Sequence, residues 1–241
     1  MRPSCCTCNI LELFTDPSCS RGIGFEIVKQ LASDPSNEVF ATCRDPDSAF
    51  ALKSLAKLHV VKLDVNDEAS IRWASEAVSR ILGDKGLDYL INNAGIVSPL
   101  DHLHFSAHPP FDQIPAWDHP FTTTLANLQA AFTSNLAGPL LISQAFLHLI
   151  EKSERKVLAH ITTCFASFTQ LDAGTCDDIL ASYSITKVGL NMLVRCCQQH
   201  FILWADCNGE RRCVNKPLND QILLFYALTQ DGSRPVSTGP Q

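Results

Sequence analysis

The chain has 241 residues, of which 46% are hydrophobic and 18% are charged, with 25 acidic residues against 19 basic ones. This apolar content excludes a disordered or fibrous chain, and the length fits a single large domain. The formal net charge of −6 argues against a nucleic-acid partner, which usually leaves a basic footprint. No stretch approaches the roughly 18–20 apolar residues of a membrane span, and no secretory pattern follows Met1. We therefore expect a cytoplasmic protein with neither a nucleic-acid nor a membrane partner.

The chain contains eleven cysteines, a high and odd number. In the cytoplasm, where we expect this protein, thiols stay reduced. Three of them stand close together near the start, at Cys5, Cys6 and Cys8. Neither a CxxC pair nor a matching histidine cluster accompanies them, as a zinc site would require. We therefore expect incidental free thiols and no metal site.

Short apolar runs alternate with helical patterns through the first part of the chain. A first run at 10–14 carries a charge, and the runs that predict further strands are 38–43, 58–63, 87–91 and 157–162. Apolar positions with helical spacing lie between them, at 23–31, 52–56 and 69–82. This alternation predicts right-handed βαβ units and an α/β fold with a doubly wound parallel sheet.

The later part of the chain departs from this rhythm. Five prolines fall within residues 97–122, which predicts a long irregular segment, and long helices follow at about 124–151 and 181–201. In the last forty residues only 222–228 has the composition of a packed element. We expect a single domain at 18–201 between atypical segments at 1–17, with a degenerate first strand, and 202–241, without intact last strands. An unusual splice form or a gene-model error is an alternative origin of these ends.

The first helix opens with the sequence Ser20-Arg21-Gly22-Ile23-Gly24. Glycines let the backbone approach a pyrophosphate, and a helix N-terminus offers free N–H groups and the positive end of its dipole. A GxG pair alone is common in loops, but the βαβ units that follow have the lengths of a dinucleotide fold. We therefore predict that these five residues bind a dinucleotide cofactor.

Charged residues at two strand ends indicate how the rest of this cofactor is held. Asp64, followed by Val65, ends the third strand, where a carboxylate can hold an adenine amino group or can instead cap the next helix. Arg44 follows the second strand, where a guanidinium can pair with a 2′-phosphate or remain a solvated surface charge. The neighbouring Asp45 would instead suit a 2′-hydroxyl, and Arg21 adds a second positive charge. The balance predicts NADP in preference to NAD.

The sequence Asn92-Asn93-Ala94-Gly95 directly follows the fourth strand. Two amides and a small, permissive pair predict a tight strand exit, with side-chain hydrogen bonds to the backbone, that lies against the cofactor. The alternative is an ordinary Asn-rich turn.

Tyr183 and Lys187 are four residues apart and therefore share one face of the predicted second long helix. Carbonyl reduction needs a hydride and then a proton on the developing alkoxide. A tyrosine delivers that proton more readily if its pKa falls from about 10 toward neutrality, and an ammonium group nearby has the right sign for this. The YxxxK spacing also arises by chance, so it gains meaning from the motifs around it.

Together these motifs stand in the order and spacing of the short-chain dehydrogenase/reductase family. The resemblance covers about residues 20–200, and the stretches 40–46 and 181–191 look most like the C-factor and sniffer-type carbonyl reductase branch of this family. The motifs that carry the resemblance are Ser20-Arg21-Gly22-Ile23-Gly24, Asp64-Val65, Asn92-Asn93-Ala94-Gly95, Asn135, Thr162-Thr163 and Tyr183-x-x-x-Lys187. The resemblance implies a Rossmann-like fold and an NADP-dependent oxidoreductase acting on a small carbonyl or alcohol substrate.

The resemblance also implies roles for single residues. Tyr183 would be the general acid/base, and Lys187 would bind the nicotinamide ribose hydroxyls and lower the pKa of the tyrosine. Asn135 would hold a water in the proton relay. Thr163 matches the family's catalytic serine, the alternative being a strand-end hydroxyl that caps backbone. The helices at 124–151 and 181–201 would form a homodimer.

Three departures from the family pattern support an alternative function. Pro17-Ser18 stands where the family's first motif has Thr-Gly; if Thr15-Asp16 is aligned there instead, the loop is two residues longer and Asp replaces Gly. Thr163 replaces a serine, and no Pro-Gly follows the helix of Tyr183. Each of these changes affects the cofactor turn, the catalytic hydroxyl or the substrate wall. The alternative is a catalytically impaired relative that acts as a binding or dimerisation scaffold.

Overall fold

The structure is a computed structural model that describes residues 8–13, 22–55, 57–97, 118–173, 180–207 and 222–226. At 8–13, 22, 198–207 and 222–226 it describes the backbone alone. Of the predicted site residues, Ser20 and Arg21 therefore lie outside the described residues.

The described strands form one sheet in the order β3-β2-β1-β4-β5-β6, and all of its pairings are parallel. The strands are β1 (Cys8–Leu13), β2 (Asn37–Cys43), β3 (Leu58–Lys62), β4 (Tyr89–Asn92), β5 (Val157–Thr162) and β6 (Ile222–Tyr226). The chain reverses direction across the sheet between β3 and β4, so β1 and β4 lie side by side at the centre. This is the doubly wound, Rossmann-like α/β fold that the sequence predicts.

Helices connect these strands and cover both faces of the sheet. They are α1 (Gly22–Ser33), α2 (Phe50–Lys53), α3 (Glu68–Leu82), α4 (Leu125–Phe132), α5 (Gly138–Lys152), α6 (Phe168–Asp172) and α7 (Ala181–Cys207). A π-helical turn (Thr133–Ala137) joins α4 to α5, and a 3-10 turn (Cys164–Ala166) follows β5. None of the described helices combines the length and apolar content that a membrane crossing requires.

Burial on both faces of the sheet explains why its strands are nearly continuous apolar runs. Along β2, Phe40 packs into a core with α3 and α5, whereas Val39 and Ala41 pack into a second core on the opposite face with α1 and α2. Every residue of β5 is buried. The layered arrangement leaves the ends of the strands as the exposed part of the sheet.

Helix α3 shows how the local sequence fixes an element. Its apolar residues Ile71, Val78 and Leu82 are buried at helical spacing. Asp67 caps the helix by accepting a hydrogen bond from the N–H of Ala69, and Gly83 ends it with a φ of 61°. The predicted pattern at 69–82 is thereby confirmed.

The four strands predicted at 38–43, 58–63, 87–91 and 157–162 are confirmed within two residues at each end. The first strand is better formed than its charge suggested. β1 pairs with β2 and β4, and Glu12 stands in register with Ala41 and Ile91. Backbone pairing on both sides therefore forms this strand even though its sequence contains a charged residue.

Three predictions about the later elements are corrected. The helix expected at 124–151 is interrupted by the π-helical turn, and α7 continues to Cys207 because no glycine or proline stops it before Asn208-Gly209. The last part of the sheet is not simply missing, since residues 222–226 form β6 beside β5. The run Ile-Leu-Leu-Phe-Tyr has high strand propensity, and the edge of β5 offers a free row of backbone partners.

Candidate active site

The carboxyl ends of parallel strands share one edge of the sheet, and the predicted chemical residues gather there. The residues that follow a strand, or pack against that edge from α7 and the π-helical turn, are Gly95, Asn135, Thr163, Tyr183 and Lys187. Open α/β sheets generally bind their ligands at this edge. The fold therefore brings together residues that lie up to about 90 positions apart in the sequence.

Lys187 is buried on the face of α7 that also carries Tyr183. Its Nζ atom donates a hydrogen bond of 2.8 Å to the carbonyl oxygen of Ile161 and lies 5.7 Å from the centroid of the Tyr183 ring. Burial lowers the pKa of Lys187 to about 8. The ammonium form therefore predominates at neutral pH, but the proton is held less firmly than on a surface lysine.

The pKa of Tyr183 moves in the opposite direction to the one expected from the sequence. Burial raises the pKa of this phenol above 10, and the neighbouring Cys164 raises it further. A hydrogen bond from the side chain of Thr163 lowers it, but not by enough to offset the burial. We expected the protein to bring this pKa toward neutrality. For the protein groups around the phenol this is wrong, because desolvation of the phenolate outweighs the hydrogen bond from Thr163.

Thr163 makes two contacts that bear on the two roles the sequence left open. Its hydroxyl accepts a 3.3 Å hydrogen bond from the N–H of Phe165 and so caps the 3-10 turn after β5. The same side chain hydrogen-bonds to Tyr183. A threonine in this place therefore keeps the contact to the phenol that a serine hydroxyl would make.

Asn135 is fully buried in the π-helical turn, and its amide holds the backbone that follows β4. Oδ1 accepts a 2.7 Å hydrogen bond from the N–H of Ile96, and Nδ2 donates to the carbonyl of Ile96 at 2.8 Å and to Thr186 Oγ1 at 3.1 Å. Both amide protons are thus used, and only a second lone pair of Oδ1 is left for another partner. The side chain clamps β4 to α7, and π-helical turns often occur at functional sites.

Gly95 occupies a space that no larger residue fits easily. A Cβ atom at this position would lie 3.2 Å from Asn135 Oδ1 and 3.4 Å from Lys187 Nζ. Asn93 and Ala94 precede it directly after β4, half-buried and buried respectively. The small residue therefore lets the strand exit lie close against the lysine and the asparagine.

The predicted nucleotide-binding residues that are described lie at the same edge. Gly22 begins α1, Ile23 is half-exposed and Gly24 is buried. Arg44 directly follows β2 and is half-buried, while the exposed Asp45 accepts a hydrogen bond of 3.0 Å from the N–H of Asp47.

Asp64 and Val65 stand two and three residues after the end of β3. The carboxylate of Asp64 accepts a 2.9 Å hydrogen bond from the N–H of Asn66 and closes a turn. The helix that follows is capped by Asp67 instead. The alternative in which Asp64 caps the next helix is therefore wrong. The structure brings Asp64 to the strand edge on a short turn, with Val65 buried below it.

Sequence reasoning missed two residues that support the site. Thr186 accepts a hydrogen bond from Asn135, and Asn191 accepts one of 2.8 Å from Thr162 and donates one of 3.4 Å to the carbonyl of Ala166. Asn191 thereby ties the end of β5 to the turn that carries Thr163. A signal for it existed, because Tyr183, Lys187 and Asn191 follow one another at four-residue spacing on one helix face.

His160 is a buried titratable group beside the site. Burial, with the nearby charge of Lys187, lowers its pKa to about 4, and Nδ1 has no hydrogen-bond partner in the described structure. The folded chain therefore keeps this imidazole neutral at pH values where an unfolded chain protonates it.

We expect this histidine to make stability fall at acidic pH. As pH drops from 6.5 to 4, the unfolded state takes up a proton that the folded state refuses, so the free energy of unfolding falls by about 3 kcal/mol. Denaturant unfolding of the His160→Gln variant should lack this part of the pH dependence. His148→Gln, at an exposed histidine of α5, is the matched control. Identical pH dependence of wild type and His160→Gln would contradict the assignment.

Comparison with known proteins agrees with this geometry. The family model described as short chain dehydrogenase matches residues 18–203. The short-chain dehydrogenase/reductase atnB of Arthrinium sp is 34% identical over 187 residues, which are 73% of this chain and 63% of that protein. AacuF of Aspergillus aculeatus, another short-chain dehydrogenase/reductase, is 33% identical over 178 residues, which are 73% of this chain and 62% of its own length. The chain thus spans somewhat less than two thirds of these curated relatives.

Solved structures give the same result. An NADPH-bound carbonyl reductase from chicken fatty liver is 29% identical, with a TM-score of 0.65 over 90% of this chain and 77% of that one. The Sniffer carbonyl reductase of Caenorhabditis elegans shares the fold at 22% identity, with a TM-score of 0.66 over 91% and 83% of the two chains. The family model covers most of the chain, and one edge of the sheet brings together Tyr183, Lys187, Thr163 and Asn135. The chain therefore belongs to the short-chain dehydrogenase family of oxidoreductases.

Proposed function

We propose that the chain reduces the carbonyl group of a small ketone or aldehyde with NADPH. The observation that carries the proposal is the contact between Tyr183 and Thr163 beside the buried ammonium of Lys187. NADPH would supply the hydride that adds to the carbonyl carbon. Tyr183 would donate the hydroxyl proton to the carbonyl oxygen, so that an alcohol forms.

The raised pKa of Tyr183 favours reduction over alcohol oxidation at neutral pH. A buried phenol with a pKa above its usual value remains protonated, which is the form that donates a proton to a carbonyl oxygen. Alcohol oxidation would need the phenolate as a base. Thr163, hydrogen-bonded to the phenol, would orient the carbonyl oxygen together with Tyr183.

The residues at the sheet edge fit a dinucleotide. Gly95, where a Cβ would crowd Asn135 and Lys187, keeps the strand exit close to the lysine that is proposed to hold the cofactor. We propose that Lys187 holds the nicotinamide ribose hydroxyls and that Asn135 supports a relay water through its remaining lone pair or its backbone. Asp64 and Val65 would hold the adenine, and the start of α1, with Ser20 to Gly24, would bind the pyrophosphate.

The cofactor is proposed to be NADP, because Arg44 follows β2 where the adenosine ribose of a dinucleotide lies. The similarity to a carbonyl reductase that binds NADPH supports this choice. A reversal of charge should reverse the preference. Arg44→Asp is expected to lower the ratio of kcat/KM for NADPH to that for NADH by about 100-fold, the equivalent of one or two lost charge-assisted hydrogen bonds. An unchanged ratio would remove Arg44 from the cofactor site.

Purified chain provides the test of the whole proposal. Binding is followed by quenching of NADPH fluorescence, and turnover by loss of NADPH absorbance with a panel of small ketones, aldehydes and quinones. The proposal predicts saturable quenching and oxidation of NADPH with at least part of the panel. Absence of binding at millimolar NADPH would refute it and would favour the scaffold alternative.

Three further features of the protein are also proposals. We infer that the catalytic unit comprises residues 18–201, with β1 and β6 added from the flanking segments, and that it acts in the cytoplasm. We also propose a homodimer through the helices at 124–151 and 181–201. Exposed apolar residues support it, because Leu125 and Phe132 lie seven residues apart on α4, as Ile185 and Met192 do on α7.

A further inference from the structure

We propose that Asp118 is a positioning residue that anchors the first turn of α7, and with it Tyr183, to the segment that leads into α4. The proposal rests on the proposed function as far as it concerns turnover. Its structural part, the anchoring of α7, stands on the geometry alone.

Asp118 lies far from Tyr183 in sequence but reaches the helix of this tyrosine through a buried polar cluster. It is only 1% exposed, and its Oδ1 atom accepts a 3.3 Å hydrogen bond from the backbone N–H of Ser182 and one of 3.0 Å from Thr123 Oγ1. Thr123 Oγ1 is also 3.0 Å from Ser182 Oγ. We call Asp118, Thr123 and Ser182 the anchor cluster.

The position of the anchor cluster suits a carboxylate. The N–H of Ser182 belongs to the first turn of α7, where backbone donors have no partner within the helix and the helix dipole is positive. Helix α4 begins two residues after Thr123, behind the N-cap Thr124. The carboxyl group of Asp118 therefore bonds directly to the first turn of α7 and, through the hydroxyl of Thr123, to the residue that precedes the N-cap of α4, so it ties the starts of the two helices together.

The hydrogen bonds of the anchor cluster hold the elements that carry Tyr183 and Asn135. Tyr183 directly follows Ser182, and α4 runs into the π-helical turn with Asn135. Asn135 in turn hydrogen-bonds to Thr186 one turn further along α7. The anchor cluster and the Asn135–Thr186 bond thus hold α7 at two points on either side of Tyr183. Two such points restrict rotation of the helix about its axis, so they set the direction of the phenol.

The unused oxygen of the carboxylate supplies a matched variant. Asp118 Oδ2 has no hydrogen-bond partner among the described residues, whereas Oδ1 makes both contacts. The Asp118→Asn variant would keep an acceptor at Oδ1, remove the charge and place an NH2 group at the position of Oδ2. Asp118→Ala removes the charge and both hydrogen bonds. Comparison of the two variants separates the anchoring bonds from the charge.

The test measures hydrogen exchange and steady-state kinetics on the full chain. In Asp118→Ala we expect faster exchange of the amides at 181–187, with unchanged exchange in α3. We also expect kcat for carbonyl reduction to fall by about tenfold, since a 1 Å misplacement of a reacting group costs up to about 100-fold, while KM for NADPH changes less than about twofold. Asp118→Asn should restore most of the exchange protection and of kcat. Asp84→Ala, at an exposed turn after α3, is the control.

Each outcome decides a separate point. Unchanged exchange at 181–187 in Asp118→Ala overturns the anchor, and a fall in kcat no greater than that of Asp84→Ala overturns its role in turnover. If the wild-type chain does not oxidise NADPH, the proposed function fails, and the exchange data alone decide the anchor. If Asp118→Ala does not fold, Thr123→Val replaces it, and normal exchange at 181–187 in that variant overturns the proposal.

Discussion

Tyr183→Phe is expected to abolish carbonyl reduction almost completely while cofactor binding remains. A positioned general acid contributes about 100- to 10,000-fold, so kcat should fall by roughly 1,000-fold. The phenylalanine ring fills nearly the same space, and among the described residues the variant loses the side-chain hydrogen bond to Thr163. The dissociation constant for NADPH, from fluorescence quenching, should change less than about threefold, because the proposed role of the phenol is toward the carbonyl oxygen of the substrate.

Tyr89→Phe is the matched control for this variant. Tyr89 starts β4 at the opposite end of the sheet, where its hydroxyl accepts a 2.8 Å hydrogen bond from Arg155. Removal of that hydroxyl should leave kcat unchanged. A Tyr183→Phe variant with more than about a tenth of the wild-type kcat would show that another group donates the proton.

Lys187→Met is expected to weaken both cofactor binding and turnover. The variant removes a buried ammonium and keeps a side chain of similar length, so the core of α7 remains filled. The loss of one or two hydrogen bonds from a charged donor costs about 1.5–3 kcal/mol, which corresponds to an NADPH affinity lower by about 10- to 100-fold. Lys85→Met, at an exposed lysine before β4, should bind NADPH as the wild type does. Wild-type affinity in Lys187→Met would contradict the proposed contact with the ribose.

The pH dependence of the wild type gives an independent check on this lysine. Because burial lowers the pKa of Lys187 to about 8, the ammonium is present below that pH and is lost above it. We therefore expect kcat/KM for NADPH to fall by about tenfold for each pH unit above 8. The residual rate of Lys187→Met, which has no charge to lose, should not vary between pH 7 and pH 9. A wild-type profile that is flat to pH 10 would mean that the neutral amine suffices.

The strands of the sheet show how much of the fold can be predicted from the sequence. The runs that form β2, β3, β4 and β5 are recognisable because a strand covered on both faces must be apolar throughout. The sequence marks β6 less clearly, because this apolar run stands alone after a long stretch without a regular pattern. Its pairing with β5 depends on an edge that exists only when the rest of the sheet has formed.

Part of the candidate site can also be predicted from the sequence. Tyr183 and Lys187 share a face because helical spacing puts residues four apart on one side, and glycines mark places where backbone must come close. The contacts of the supporting residues carry no such mark, even where the residue itself belongs to a family motif. Asn135 uses its amide on Ile96 and Thr186, which lie 39 and 51 residues away along the chain. Asp118 reaches Ser182 over 64 residues, and no local pattern reports such a contact.

The sequence by itself determined the parallel α/β sheet, the order of its motifs and the tyrosine–lysine pair, because hydrophobic periodicity and helix geometry are local properties of a chain. Only the tertiary structure decided the electrostatics of that pair. Burial raises the pKa of Tyr183 and lowers that of Lys187, since each charged form loses water inside the protein. Burial depends on elements from the whole chain, so a spacing of four residues predicts which groups meet but not in which protonation state they act.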